Sequence, residues 1–188
     1  MAIIKHNIVE LDYLKELNTL LHSTDFPWYY VHTSAHLDDD TSIDYQFSFF
    51  HMLVEDGDTE RSPYYQDFKL LINSCIEKSQ FEGMRLDRAR LGLFTKAGKP
   101  QVQLPHVDKF DKPHKSIVFY INESDGPTYI YKQKNRLDKY EKHKHYDVDL
   151  ISPFRQNSMV CFDGFDFHSS SSPVNHNTRV CLNINLVW

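Results

Sequence analysis

The stretch Gln103–Ile130, QLPHVDKFDKPHKSIVFYINESDGPTYI, decides how this chain is read. It opens with a His-x-Asp pair, His106 and Asp108, at the end of an extended segment. On a strand, residues i and i+2 point to the same side, so both side chains can converge on one ion. The stretch then enters an alternating run. Ser116, Val118, Tyr120 and Asn122 share one face, and Ile117, Phe119 and Ile121 share the other. It closes on a Gly-containing turn before a second strand.

The pair alone is weak. With 11 His and 18 Asp in 188 residues, chance placement yields about one His-x-Asp, so a motif match needs its context. Three pairs occur: His36/Asp38, His106/Asp108 and His145/Asp147. His36/Asp38 lies in HLDDDTSID, where consecutive Asp read as a solvated loop. His145/Asp147 follows Lys132–His145, KQKNRLDKYEKHKH, with six Lys/Arg against two acids. Such a stretch repels a cation. It reads as a solvated hairpin excursion, or as a lid or docking surface for an anionic or macromolecular substrate.

Features farther along favour His106/Asp108. His168 lies 62 positions after His106 and follows Asp163-Gly164, a hairpin turn signal. Two His and one carboxylate on one face of an octahedron leave three positions open, which suits Fe(II) in oxygenases. The last strand, TRVCLNINLVW, puts Val180, Leu182, Ile184 and Leu186 on one face and Arg179, Cys181, Asn183 and Asn185 on the other. A structural sandwich has little use for an inward Arg and two Asn, because unpaired buried polar groups are costly. An anionic ligand explains that face, and a forked guanidinium suits a carboxylate better than Lys does. His176, in NHNT three residues before Arg179, is the alternative third ligand.

Working outward, Ile8–His22 has apolar residues at 11, 14, 17, 20 and 21, which is helical spacing. Residues 26–34 and 45–54 have strand composition. Ser62-Pro63 predicts the start of a second helix, with Ser62 as N-cap and Pro63 at the first helical position. Its apolar stripe is Tyr64, Phe68, Leu71, Ile72, Cys75 and Ile76. Arg85–Thr95 reads as a strand, followed by strands at 102–107, 116–122, 128–133, 148–151, 158–162, 166–170 and 178–187. Two helices and many short strands predict a mainly β fold of the α+β kind, a sandwich or barrel with helices on one side. The length fits one domain over 1–188. A net charge of −5 argues against general nucleic-acid binding. No apolar run approaches a membrane span, and the N-terminus lacks the pattern of a signal peptide. Three Cys without close spacing read as reduced thiols of a cytoplasmic protein.

Over residues 85–188 the sequence resembles the prolyl-hydroxylase-like branch of the Fe(II)/2-oxoglutarate oxygenases, and in particular small oxygenases encoded by bacteriophages. The matching motifs are PHVD, then FYINESDGPT against the family's Tyr-Leu-Asn…Gly-Gly-x-Thr, then FDGFDFHSSSSPVNHNTRVCLNIN against its distal His, Pro-Val and basic residue. FPWYY before that region fits too. The resemblance implies a double-stranded β-helix (a jelly-roll, cupin-like fold) over 85–188, with residues 1–84 supplying helices and supporting strands. It implies His106, Asp108 and His168 as iron ligands. Arg179 would pair with the distal carboxylate of 2-oxoglutarate, Tyr120 would hydrogen-bond it, and Thr128 would line the same pocket. The implied cofactor is Fe(II), with 2-oxoglutarate and O2 as co-substrates. The implied reaction couples decarboxylation of 2-oxoglutarate to succinate and CO2 with hydroxylation of a protein side chain or a small molecule. Phe94 stands where many relatives have a Tyr near the co-substrate's 1-carboxylate, and Pro127 replaces the second Gly of the turn. For a bacteriophage protein the compartment would be the host cytoplasm.

Two other functions fit parts of the pattern. One is a metal- or sugar-binding β-sandwich without turnover, which gives Arg179 no partner. The other is a nucleic-acid-modifying oxygenase whose Lys132–His145 segment contacts phosphate. Binding of that kind would weaken steeply with salt.

Overall fold

The structure is a computed structural model that describes residues 1–32, 47–57, 59–109, 112–134 and 145–188. In chain order the elements are β1 (Ile3–His6), α1 (Leu11–Leu21), β2 (Tyr29–Val31), β3 (Ser48–Glu55), β4 (Thr59–Glu60), α2 (Tyr65–Lys78), β5 (Arg85–Thr95), β6 (Lys115–Tyr120), β7 (Thr128–Lys134), β8 (Val148–Ser152), β9 (Ser158–Asp163), β10 (Asp166–Ser169) and β11 (Thr178–Val187). A large sheet runs β1-β9-β6-β11-β5-β3-β2, with β4 on β3, and a small sheet runs β10-β7-β8. Every pairing is antiparallel. The two facing sheets form the expected double-stranded β-helix.

Alternation along β6 and β11 divides the interior as the sequence predicts. Ile117, Phe119, Leu182, Ile184 and Leu186 turn outward from the sandwich and are buried under the helices. The helices supply Leu14, Leu17 and Leu21 from α1 and Phe68, Leu71, Ile72 and Cys75 from α2. Each such aliphatic or aromatic side chain stabilises by about 1.5–3 kcal/mol when buried. Leu11, the first residue of the predicted α1 stripe, is exposed instead. The opposite face of the large sheet meets the small one through Phe94, Val118, Tyr120, Ile130, Val160, Phe162 and Cys181. All three Cys are unpaired and buried.

Four local expectations change. First, α2 begins at Tyr65, not at Ser62-Pro63. The Ser62 hydroxyl accepts from the Tyr64 N–H (3.1 Å) and contacts His51 Nε2 (2.6 Å), so it closes a turn ahead of the helix instead of capping it. Second, Asp163-Gly164 does not close a hairpin. β9 pairs with β6 and β1, while β10 pairs with β7, so the turn carries the chain from one sheet to the other. A Cβ at Gly164 would meet the His114 imidazole at 2.2 Å, so only Gly fits this close approach. Third, residues 102–107 form only two bridges, Val102↔Ser171 and His106↔His168. Pro105 has no N–H to continue the ladder. Fourth, β1 was not anticipated. It is an edge strand whose partner, β9, lies more than 150 residues away.

Candidate active site

The sandwich brings His106, Asp108 and His168 together. One potential ligand atom from each lies within 4.8 Å of the others. The short bridge beside β10 produces this. His106 N–H donates to the His168 carbonyl (3.0 Å) and His168 N–H to the His106 carbonyl (2.9 Å), which sets the two rings 4.5 Å apart. Each Nδ1 contacts a carbonyl two residues back, Leu104 for His106 (3.1 Å) and Asp166 for His168 (3.3 Å). Such a bond makes Nδ1 the protonated nitrogen and leaves Nε2 as a free donor pair for a metal. Burial first, and the neighbouring His168 second, push the His106 pKa down to about 3. Burial likewise lowers His168, against the pull of Asp108. Both rings are therefore neutral, as a ligand must be.

Asp108 is held from four directions. Its Oδ2 accepts from Asn185 Nδ2 (2.9 Å), Ser116 Oγ (3.2 Å) and Asn183 Nδ2 (3.2 Å), and Arg88 Nη2 stands 2.9 Å from Oδ1. That last contact is an ion pair without hydrogen-bond alignment. Arg88 is itself oriented by Nε donating to Asn185 Oδ1 (2.8 Å). Burial pushes the Asp108 pKa up, but Arg88, His168, His106 and Arg90 together hold it well below the usual range, so the group is a carboxylate. Just beyond, Lys109 and Lys112 clamp the buried Asp87 of β5 and fix the exit of the loop.

Arg179, Tyr120 and Thr128 form a second cluster. Arg179 is fully buried. Its Nε donates to the Gly126 carbonyl (2.8 Å), Nη2 to Thr128 Oγ1 (2.8 Å) and Nη1 to Cys181 Sγ (3.5 Å). The rings of Phe94, Tyr120 and Phe154 surround it at 5.2, 5.9 and 5.1 Å. Among the described residues no carboxylate pairs with it, and a buried charge without a counter-ion is costly. Tyr120 donates to Ser152 Oγ (2.8 Å). Burial raises its pKa, which keeps it a neutral phenol. Gly126 is required here, since a Cβ would meet the Ser171 carbonyl oxygen at 2.4 Å and Arg179 Cδ at 3.0 Å.

A cavity of about 310 Å³ opens beside the first cluster, with His106, His168, Asn183, Arg90, Phe94 and Cys181 in its wall. Arg179 does not line it but touches two residues that do, Phe94 and Cys181. Asn183 Oδ1 is buried there without a hydrogen-bond partner. Two neutral His with uncommitted Nε2 atoms and one carboxylate, already oriented by Asn185, Ser116, Asn183 and Arg88, are a fitting donor set for a ferrous ion.

The remaining candidates are elsewhere. His176 bonds Asp125 (3.1 Å) and is partly exposed, so the alternative third ligand falls away. His145 and Asp147 are an exposed surface pair at 3.4 Å. His36 and Asp38, and residues 135–144 of the basic stretch, lie outside the described residues. Sequence reasoning passed over Arg88 and Ser116 as partners of Asp108. The signal for Arg88 was its place two residues from Arg90 on β5, on the face that meets Asn183 and Asn185.

No protein-family model matches the sequence, and no curated protein matches it. Solved structures do. An oxidoreductase of the 2OG-Fe(II) oxygenase family from Burkholderia pseudomallei superimposes with a TM-score of 0.64 at 12% identity, over 98% of this chain and 84% of that one. A Pseudomonas putida prolyl-4-hydroxylase gives 0.60 at 12% identity, over 100% of this chain and 92% of that one. The fold is that of the Fe(II)/2-oxoglutarate oxygenases. The epimerase SnoN, in complex with Fe3+, alpha ketoglutarate and nogalamycin RO, gives 0.63 at 9% identity, over 99% of this chain and 78% of that one. Oxygenases of this fold thus include a hydroxylase and an epimerase, and the fold does not choose the reaction.

Proposed function

We propose that the chain is a non-haem Fe(II)- and 2-oxoglutarate-dependent dioxygenase that hydroxylates an unidentified substrate, either a protein side chain or a small molecule. In this reading the whole chain is one oxygenase domain, with the site in residues 85–188. The observation that carries it is the juxtaposition of two complementary clusters. Three convergent ligand atoms lie within 4.8 Å beside a cavity. A guanidinium without a paired carboxylate among the described residues, that of Arg179, lies against Phe94 and Cys181 of the cavity wall.

His106, Asp108 and His168 would hold iron through two Nε2 atoms and one carboxylate oxygen. Arg179 would take the distal carboxylate of 2-oxoglutarate, with Thr128 Oγ1 fixing the fork and the Tyr120 hydroxyl turning from Ser152 to donate. Bound iron and 2-oxoglutarate supply the oxidising chemistry. The chain's part is to orient and to exclude water. Asn185, Ser116 and Arg88 aim the Asp108 carboxylate, the two Nδ1 contacts aim the imidazoles, and Phe94, Tyr120 and Phe154 keep the Arg179 end dry. A dry site strengthens the charge pair.

The test is an anaerobic titration of metal-free protein with Fe(II) and 2-oxoglutarate, following the weak visible charge-transfer band of the chelated complex. The band should form in the wild type and be absent in Asp108→Ala. A folded wild-type protein that shows no band would remove this reading.

A further inference from the structure

Three guanidiniums stand around the site, and two have assignments. Arg88 faces Asp108 at 2.9 Å, and Arg179 holds the co-substrate in the reading above. Arg90 is left over. It lies on β5 in register with Asn183 of β11 on one side and Met52 of β3 on the other, and it lines the cavity. No described residue gives it a hydrogen bond or an ion pair. Glu55, which lines the same cavity, is engaged by Arg61 at 3.2 Å. Burial first, and then the like charge of Arg88, work against the Arg90 cation, and the nearby Asp108 and Cys181 offset only part of this. A half-buried Arg in the wall of a cavity, with no hydrogen-bonded partner among the described residues, is a ready point of attachment for an anion from outside the chain.

Charge balance says where that anion comes from. The side chains around the site offer three guanidiniums, Arg88, Arg90 and Arg179, against the one carboxylate of Asp108, and an imidazole that ligates a metal is neutral. Loading does not change the surplus, because the two charges of Fe(II) are cancelled by the two of 2-oxoglutarate. The loaded pocket therefore still lacks negative charge. The cavity wall beside Arg90 also includes Val31, Phe50 and Met52, with Met52 opposite Arg90 and Phe50 opposite Gly92 on the neighbouring β3. That wall is apolar and suits a hydrocarbon or aromatic body.

We infer that the primary substrate carries an anionic group, a carboxylate or a phosphate, on an apolar body, that Arg90 binds the anion, and that Val31, Phe50 and Met52 receive the body. This rests on the oxygenase reading. It makes Arg90 a specificity-determining residue, since a neutral analogue would give the half-buried cation no counter-ion.

The experiment uses protein loaded anaerobically with Fe(II) and 2-oxoglutarate, with the chelate band checked first. Matched probes are then titrated by calorimetry: benzoate against benzamide, and phenyl phosphate against phenol. In the wild type at least one anion should bind about tenfold or more tighter than its neutral mate, and the pair that discriminates identifies carboxylate or phosphate. Arg90→Met should abolish that preference while 2-oxoglutarate affinity stays within about threefold of wild type. Arg90→Lys should keep part of it. The wild-type comparison needs no variant to fold. Equal binding, or no binding, in both pairs overturns the inference. So does a loss of about tenfold or more in 2-oxoglutarate affinity in Arg90→Met, which would put the co-substrate's own 1-carboxylate at Arg90. A missing chelate band in the wild type is the separate failure of the oxygenase reading, visible before any probe is added.

Discussion

Arg179→Met separates a ligand-binding role from a structural one, because the first predicts a loss of co-substrate affinity and the second a loss of stability. The substitution removes a fully buried cation together with its hydrogen bonds to Gly126 and Thr128, both 2.8 Å. Two acceptors then lose their donor, at about 1–3 kcal/mol for a group left unsatisfied. Against this, the protein no longer buries an unpaired charge, and replacing buried ionic groups by apolar ones of similar volume is often neutral or stabilising by about 1–4 kcal/mol. The metal-free protein should therefore keep its stability to within about 2 kcal/mol, since these effects oppose one another. Affinity for 2-oxoglutarate has no such compensation. Losing one member of a desolvated charge pair costs about 2–5 kcal/mol, or about 30- to 5,000-fold. Urea denaturation of the metal-free protein and anaerobic titration of the Fe(II)-loaded protein read the two quantities independently. Unchanged affinity would refute the clamp. A stability loss beyond about 4 kcal/mol with intact affinity would make Arg179 a purely structural residue, since only a broken buried network reaches that size.

Further outcomes follow from the same geometry. Asn185→Leu removes the 2.9 Å bond to Asp108 and the contact that orients Arg88, and should weaken metal binding by about 10- to 100-fold with 2-oxoglutarate contacts untouched. Competition with a metal-sensitive dye checks it. Asp125→Asn should flatten the acid limb of the stability curve. Burial raises the Asp125 pKa, but the N–H groups of Asn175 and Val174 and the His176 side chain more than offset this and bring it to about 2. A carboxyl depressed on folding adds stability that is present above its unfolded pKa and disappears as pH falls through the folded one, here from about 4 down to about 2. Urea midpoints across that window should converge for wild type and variant at the low end and separate above it.

Much of this site could be read along the chain because a strand has a period of two. The outward Ile117 and Phe119 and the inward Ser116 and Tyr120 follow from alternation alone, as do the four polar or thiol groups Arg179, Cys181, Asn183 and Asn185. What alternation cannot supply is a neighbour. Arg88 meets Asp108 because β5 lies beside β11, and Asn185 sits between them, an arrangement made by pairings across about 90 residues. Asp163-Gly164 carries a local turn preference that is satisfied, but whether the next strand returns to its own sheet or crosses to the other depends on the distant partners β6 and β7. Ser62 shows the same limit on a smaller scale. Its hydroxyl has helix-capping chemistry, and the competing contacts to the Tyr64 N–H and His51 are tertiary. Pro105 was readable as a strand breaker. Its effect is to shorten the 102–107 segment to the two bridges that bring His106 to His168.

The four groups that hold Asp108 bear on how such a protein acquires its metal. Many small metal sites are unfolded when empty, so ion binding and chain folding are one event. Here the carboxylate is already charge-balanced by Arg88 and hydrogen-bonded by Ser116, Asn183 and Asn185, and the two imidazoles are joined through their own backbones. On the proposed ligand set, assembly of the scaffold and arrival of the ion would thereby be uncoupled. A chelator should empty the centre without melting the chain, and the emptied protein should reload in any order of addition. On the oxygenase reading, occupancy would then follow the concentration of free metal, after synthesis and independently of it.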